Sequence, residues 1–223
     1  MPNLTTYNNV YKPFTYGWAM EAAVEHEKIH WHEEEVELGD DVAQWNNGSL
    51  NDVEKNYILQ IFRLFTQTDV QVGQNYCDLF IPAFKNNEVR NMLLSFACRE
   101  GIHQRAYALF NDTIGLPEHT YSEFLGYEEM AAKIEAMQDN SIDTPSAVAK
   151  SLAQTVSNEG MSLFSSFVML LNFQRYGKMK GMCKIAEWSL RDETQHVDGM
   201  SRLFKTYVQE HPYVLTDGFK SGV

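Results

Sequence analysis

The 223-residue sequence predicts an all-α fold, a bundle of long amphipathic helices. Three observations predict it. Apolar residues recur at helical spacing over long stretches, and strict strand-like alternation is hard to find. Proline, glycine and paired asparagines fall in short polar breaks between those stretches. Two of the stretches carry the same Glu-x-x-His spacing among apolar neighbours.

After an N-terminal extension, residues 1–16, a first helix is predicted over residues 18–30. An acidic run at Glu33, Glu34, Glu35 and Glu37 then leads through Asp40 and Asp41 to a turn containing Gly48. Asn51 with Glu54 three residues on reads as a capping box, in which each side chain pairs with the other residue's backbone N–H. It opens a second helix to about Phe80. Pro82 and Asn86-Asn87 interrupt the pattern before a third helix over 88–113, closed by Gly115 and Pro117 in the order expected of a helix end. A shorter fourth helix is predicted over 121–137. Asp143-Thr144-Pro145 is a start signal for a fifth helix to about Tyr176, since proline lacks an N–H that the first turn leaves unpaired anyway. Gly177 and Gly181 bracket the next break, and a sixth helix runs to about Gln209, ahead of Pro212.

A hydrophobic content of 44% over this length is enough for one substantial core, so a single helical domain over 1–223 is expected. The formal net charge of -12 excludes a nucleic-acid backbone as partner, because such a surface repels phosphate. Cys77, Cys98 and Cys183 are odd in number and widely separated, which argues against a disulfide framework or zinc ribbon and for a reducing compartment. The N-terminus lacks a basic stretch followed by an apolar one, and no apolar run reaches membrane-spanning length. A soluble cytoplasmic protein with no membrane partner is expected.

The chemistry lies in the repeated motif. Glu100-x-x-His103 sits among Met92, Leu93, Leu94, Phe96, Ile102, Ala106 and Phe110, and Glu193-x-x-His196 lies in the sixth helix. Residues three apart project from one side of a helix, so a carboxylate and an imidazole can converge on one ion. Alone, such a pair is an ordinary surface ion pair. The chain holds its own control in Glu27-x-x-His30, which with His26 and His32 lies in a charged stretch and reads as a solvated face. A dinuclear centre built from two such helices needs one further acid from each of two more. Asp69 on the second helix and Glu159 on the fifth meet that need, each embedded in apolar sequence where a carboxylate requires a compensating charge. Four carboxylates and two histidines favour iron or manganese over thiolate-preferring metals.

Arg99-Glu100-Gly101-Ile102-His103-Gln104-Arg105-Ala106-Tyr107 and Ser189-Leu190-Arg191-Asp192-Glu193-Thr194-Gln195-His196 resemble the two signature helices of the class I ribonucleotide reductase small subunit. The resemblance implies a ferritin-like bundle with a dinuclear metal site in its core. It assigns Asp69, Glu100 and His103 to one metal and Glu159, Glu193 and His196 to the other. The ions would be two irons, with a manganese pair or a mixed manganese–iron pair as alternatives. Tyr107 would be oxidised to a stable radical when the reduced pair meets oxygen, in a dry pocket to which Leu163 and Phe167 contribute. Trp31 and Asp192 would lie, with His103, on the route that carries the radical to the large catalytic subunit, where deoxyribonucleotides are made. A homodimer is implied as well. The bland readings are a core tyrosine, a boundary tryptophan and a solvated aspartate.

Members of the family continue with further helices and a docking tail bearing a redox tyrosine, and no such tail is recognisable here. A truncated or split subunit whose remaining part is a separate polypeptide, or else a minimal form, is therefore expected; Tyr213 reads as an ordinary tyrosine near a chain end rather than as a substitute for the tail tyrosine. Three rival readings share the scaffold: an oxidase or hydroxylase acting on its own substrate, iron sequestration, and a catalytically silent remnant.

Overall fold

Local sequence signals set where the helices begin. The computed structural model describes residues 3–123 and 126–221, and its regular structure among the described residues is helical throughout. Asn51 caps α3 (Asp52–Gln74): its side chain accepts the Glu54 N–H at 2.9 Å while Glu54 accepts the Asn51 N–H at 2.9 Å. Asn86 caps α5 (Asn87–Thr113), accepting from Glu88 and Val89, and Gly115 at φ +82° follows its end. Thr144 caps α8 (Pro145–Ser157), with proline in the first turn. α1 (Gly17–Lys28) and α10 (Lys180–Glu210) complete the long elements.

Four departures from the sequence expectation matter. The second helix does not stop at Phe80; α3 leads through a π-helical turn, Asn75–Phe80, into α4 (Ile81–Ala83), with Pro82 in the first turn of α4. The expected fourth helix is two pieces, α6 (Thr120–Glu123) and α7 (Glu128–Gln138), with residues 124–125 outside the described residues. The expected fifth helix is α8, a π-helical turn (Asn158–Ser162), α9 (Leu163–Leu171) and a 3-10 turn (Asn172–Tyr176). A helix not anticipated, α2 (Gly39–Asn46), fills the stretch around Asp40 and Asp41. Its buried Asp41 accepts the backbone N–H groups of Gly181 (2.9 Å) and Met182 (2.8 Å), so α2 caps the otherwise unpaired start of α10 from another element. A short α11 (Asp217–Ser221) follows a 3-10 turn at Pro212–Val214.

α5 is central, with α3 and α1 packed along it and α10 facing it; α8 and α9 pack on α10. Two apolar clusters form the core. One gathers Phe62, Phe65, Tyr107, Phe110, Phe167 and Ile185. The other gathers Tyr76, Phe80, Met92, Phe96, Met200 and Leu203. Along each of α3, α5 and α10 the passage from one cluster to the other crosses buried acids and histidines, so a polar layer lies between two dry ones. α10 and α5 approach closely at Gly199, where an added Cβ would lie 2.8 Å from the Phe96 ring. No helix among the described residues is long and apolar enough to cross a membrane.

Candidate metal centre

The polar layer is built by four elements. α3 contributes Asp69, α5 Glu100 and His103, and α10 Glu193 and His196. Glu159 comes from the π-helical turn between α8 and α9, a distortion that re-aims side chains. All six are at most 2% exposed. Ligand atoms of Asp69, Glu100, His103 and Glu193 lie within 4.8 Å of one another, as do those of Glu100, Glu159, Glu193 and His196. Glu100 and Glu193 belong to both groups and stand between the two histidines. His103 Nδ1 is 3.1 Å from Glu193 Oε1 and 3.7 Å from Asp69 Oδ2; His196 Nδ1 is 3.0 Å from Glu100 Oε1 and 3.3 Å from Glu193 Oε2.

The donor atoms fit a pair of cations. Asp69 Oδ2, both oxygens of Glu100 and of Glu193, and Nδ1 of both histidines are buried with no aligned hydrogen-bond partner. A buried polar atom left so costs free energy, and seven of them turned on one space make sense as ligands to hard cations. The electrostatics agree. Burial and then the Glu100 charge push the Asp69 carboxyl well up, and burial with the Glu193 and Glu100 charges does the same to Glu159 against the pull of His196. Burial alone would lower His196, but the Glu193 charge and the Glu100 and Glu193 carboxylates outweigh it and lift it to about 10. Burial likewise opposes the charged form of Glu193, yet the histidines bring it down to about 2.

Behind His103 the sequence-predicted pair is in place. His103 Nε2 lies 3.1 Å from Asp192 Oδ2, which also accepts the Trp31 indole N–H at 2.7 Å, while Asp192 Oδ1 accepts from Arg99 at 2.8 Å. Burial raises the Asp192 carboxyl, but His103, Trp31 and Arg99 together hold it below its ordinary range. Trp31 is 2% exposed and Asp192 fully buried, so neither is the boundary or solvated residue of the bland reading. Tyr107 is 1% exposed, its ring centroid 6.2 Å from that of His103, 5.3 Å from Phe65 and 5.7 Å from Phe62. Phe167 packs on Phe65 at 4.5 Å and Leu163 belongs to the same cluster.

The profile of the family described as "Ribonucleotide reductase, small chain" matches residues 8–223. The chain belongs to this family. It is 44% identical over 218 residues to a probable ribonucleoside-diphosphate reductase small subunit, 376L, of Invertebrate iridescent virus 6, an alignment covering 91% of this chain and 60% of that one. The chain thus spans about three fifths of that relative. The fold is that of the ribonucleotide reductase R2 subunit from Clostridium botulinum, with a TM-score of 0.90 at 20% identity, covering 99% of this chain and 73% of that one. It also resembles the ribonucleotide reductase Rnr4 homodimer from Saccharomyces cerevisiae, with a TM-score of 0.78 at 20% identity, over 91% of this chain and 66% of that one. The small chain is accordingly a ferritin-like helical bundle.

Two residues of this small chain escaped the sequence reading. His26 is not part of a solvated face: it is fully buried, its Nε2 lies 3.1 Å from His196 Nε2, and its Nδ1 lies 2.7 Å from Ser95 Oγ. Burial, then the His196 charge, pull it down to about 2, so it is neutral. Its neighbours do stay outside; His30 and His32 are exposed and pair with each other at 3.1 Å, and the Glu27-x-x-His30 pair joins no metal-type cluster among the described residues. The available signal was the stripe Ala19, Ala23, His26, the buried face of α1. Tyr76 is the second. Its hydroxyl donates to Glu159 at 3.1 Å, and it stands seven residues after Asp69 as Tyr107 stands seven after Glu100. Tyr213 is 65% exposed.

Proposed function

We propose that this chain is the radical-generating small subunit of a ribonucleoside-diphosphate reductase. The observation that carries the proposal is the phenol of Tyr107, buried beside His103 and walled by Phe62 and Phe65, with Phe167 packed behind Phe65, at the edge of a six-ligand polar layer. When bound at Asp69, Glu100, His103, Glu159, Glu193 and His196, an iron or manganese pair supplies oxidising power drawn from oxygen. Tyr107 gives up one electron and its hydroxyl proton and is left as a neutral phenoxyl radical. The aromatic wall keeps water from that radical, and burial with the Asp69 and Glu193 charges keeps the resting phenol protonated. Asp192 fixes the tautomer of His103 by accepting from its Nε2 and joins it to Trp31, which gives a continuous hydrogen-bonded path for electron and proton exchange with a large catalytic subunit. The diphosphate level follows the naming of the relatives. A homodimer and a cytoplasmic location belong to the same proposal.

Loading the chain with ferrous iron, admitting oxygen and recording electron paramagnetic resonance tests it. A tyrosyl signal that vanishes in Tyr107→Phe while metal content is unchanged is the expected result. Metal uptake with no radical, in the chain alone and with the large subunit present, would overturn it.

A further inference from the structure

The two histidines of the metal layer are held from behind by different chemistry. His103 Nε2 meets a carboxylate, Asp192, itself pinned by Arg99 and Trp31. His196 Nε2 meets another imidazole, His26, at 3.1 Å. From there His26 Nδ1 reaches Ser95 Oγ at 2.7 Å, and the Ser95 hydroxyl donates to Glu27 Oε1 at 2.6 Å. Glu27 is exposed on α1, whereas Ser95, His26 and His196 are buried.

The direction of every hydrogen in this chain is determined. A His196 that ligates through Nδ1 must spend the Nδ1 lone pair on the ion, so its one proton sits on Nε2 and points at His26. Nε2 of His26 must then accept, which leaves the proton of that neutral ring on Nδ1, pointing at Ser95. The Ser95 oxygen accepts it and passes its own hydrogen to the Glu27 carboxylate. Three hydrogen bonds run one way, from the ligand outward to an anion at the surface. Reversing any of them would put two hydrogens or two lone pairs face to face.

We propose that His26 is the positioning residue for the second metal: with Ser95 and Glu27 it locks His196 in the tautomer and ring orientation that present Nδ1 to the ion. Partners that orient a ligating histidine in this way are worth about 10- to 100-fold in metal affinity. The inference rests on the reading of His196 as a ligand. Because His26 lies against His196 and not against His103, its loss acts on one of the two metals.

The test is manganese(II) titration of the full chain, followed by electron paramagnetic resonance of the free ion, on wild type, His26→Leu, His26→Gln and Ser95→Ala, each first checked for helical content and melting without metal. Wild type is expected to bind two ions. His26→Leu is expected to bind one as before and the other about 10- to 100-fold more weakly. His26→Gln keeps an acceptor for His196 and a donor for Ser95, and is expected to restore the second affinity to within several-fold. Ser95→Ala, the milder change, is expected to weaken the same single site less than His26→Leu. In Mössbauer spectra of the ferrous protein, one of two iron environments should shift in His26→Leu. Equal weakening of both sites, or failure of glutamine to rescue, would mean that His26 merely fills space; unchanged affinities in folded His26→Leu and Ser95→Ala would also overturn the proposal. A wild type that binds no manganese and no ferrous iron would instead refute the metal centre itself.

Discussion

Protonation decides what the six inward-facing groups can hold. The neighbouring carboxylates lift His196 to about 10 and His103 well above its ordinary value, so near neutral pH both rings are protonated before an ion arrives. Asp69 and Glu159 are raised as well. Ligation needs neutral imidazoles and ionised carboxylates, so metal uptake must expel protons and its affinity must rise with pH. Calorimetry in buffers of different ionisation heat should show two or more protons released per pair of ions at pH 7, with weaker binding at pH 6 than at pH 8. Proton-neutral binding would contradict these charge states. Asp192→Asn should weaken the metal at His103 by about 10- to 100-fold, because an amide at that place can turn its NH2 toward the imidazole and hold the wrong tautomer; stepwise manganese titration reads this directly. The acids were legible in the sequence because a carboxylate within an apolar run has no cheap explanation. His26 was not, since its near neighbours along the chain are charged and only the α1 stripe turns it inward. Tyr76 was hidden for the opposite reason: a tyrosine among apolar residues is ordinary core until its hydroxyl is seen to meet Glu159.

At the level of elements, side-chain caps were readable and backbone distortions were not. Asn51 with Glu54 and Thr144 with Pro145 announce helix starts through groups that satisfy free N–H donors. The π-helical turns at Asn75–Phe80 and Asn158–Ser162 leave no such mark, because they are a change of backbone hydrogen bonding inside a helix that no capping side chain announces. α2 was missed since its stabilisation comes from afar, through Asp41 at the start of α10. Asp41→Ala should therefore cost about 0.5–2 kcal/mol in denaturant unfolding, the range for a lost helix cap. Gly199→Ala should cost more, about 1–3 kcal/mol, as the new methyl meets the Phe96 ring at 2.8 Å in a packed core. Phe96 also packs on His196 at 4.5 Å, so this variant should lose metal affinity along with melting temperature. An unchanged melting curve would show that α5 and α10 can part at little cost.

Across the whole molecule, the family was legible from two short helical segments, since their ligand spacing constrains four helices at once. The role of the apolar outer face of the π-helical turn and α9, where Met161, Phe164 and Val168 are 78%, 51% and 49% exposed, was not, because burial within one chain is all that apolar spacing reports. On the proposed reading the central layer makes stability metal-dependent: two ions bound only by the folded state add about 2.7 kcal/mol at a free concentration 100 times their Kd. Adding ferrous or manganous ions should raise the melting temperature, and a chelator should return it to the starting value. No shift on loading would mean that the acids and histidines bind nothing.

The order in which these groups leave the ribosome adds a constraint of its own. Glu193 and His196 come from the last long helix, so a nascent chain carrying only Asp69, Glu100, His103 and Glu159 has no second imidazole and only one of the two shared carboxylates. On the proposed reading, the site for the second ion is therefore complete only once α10 has been made.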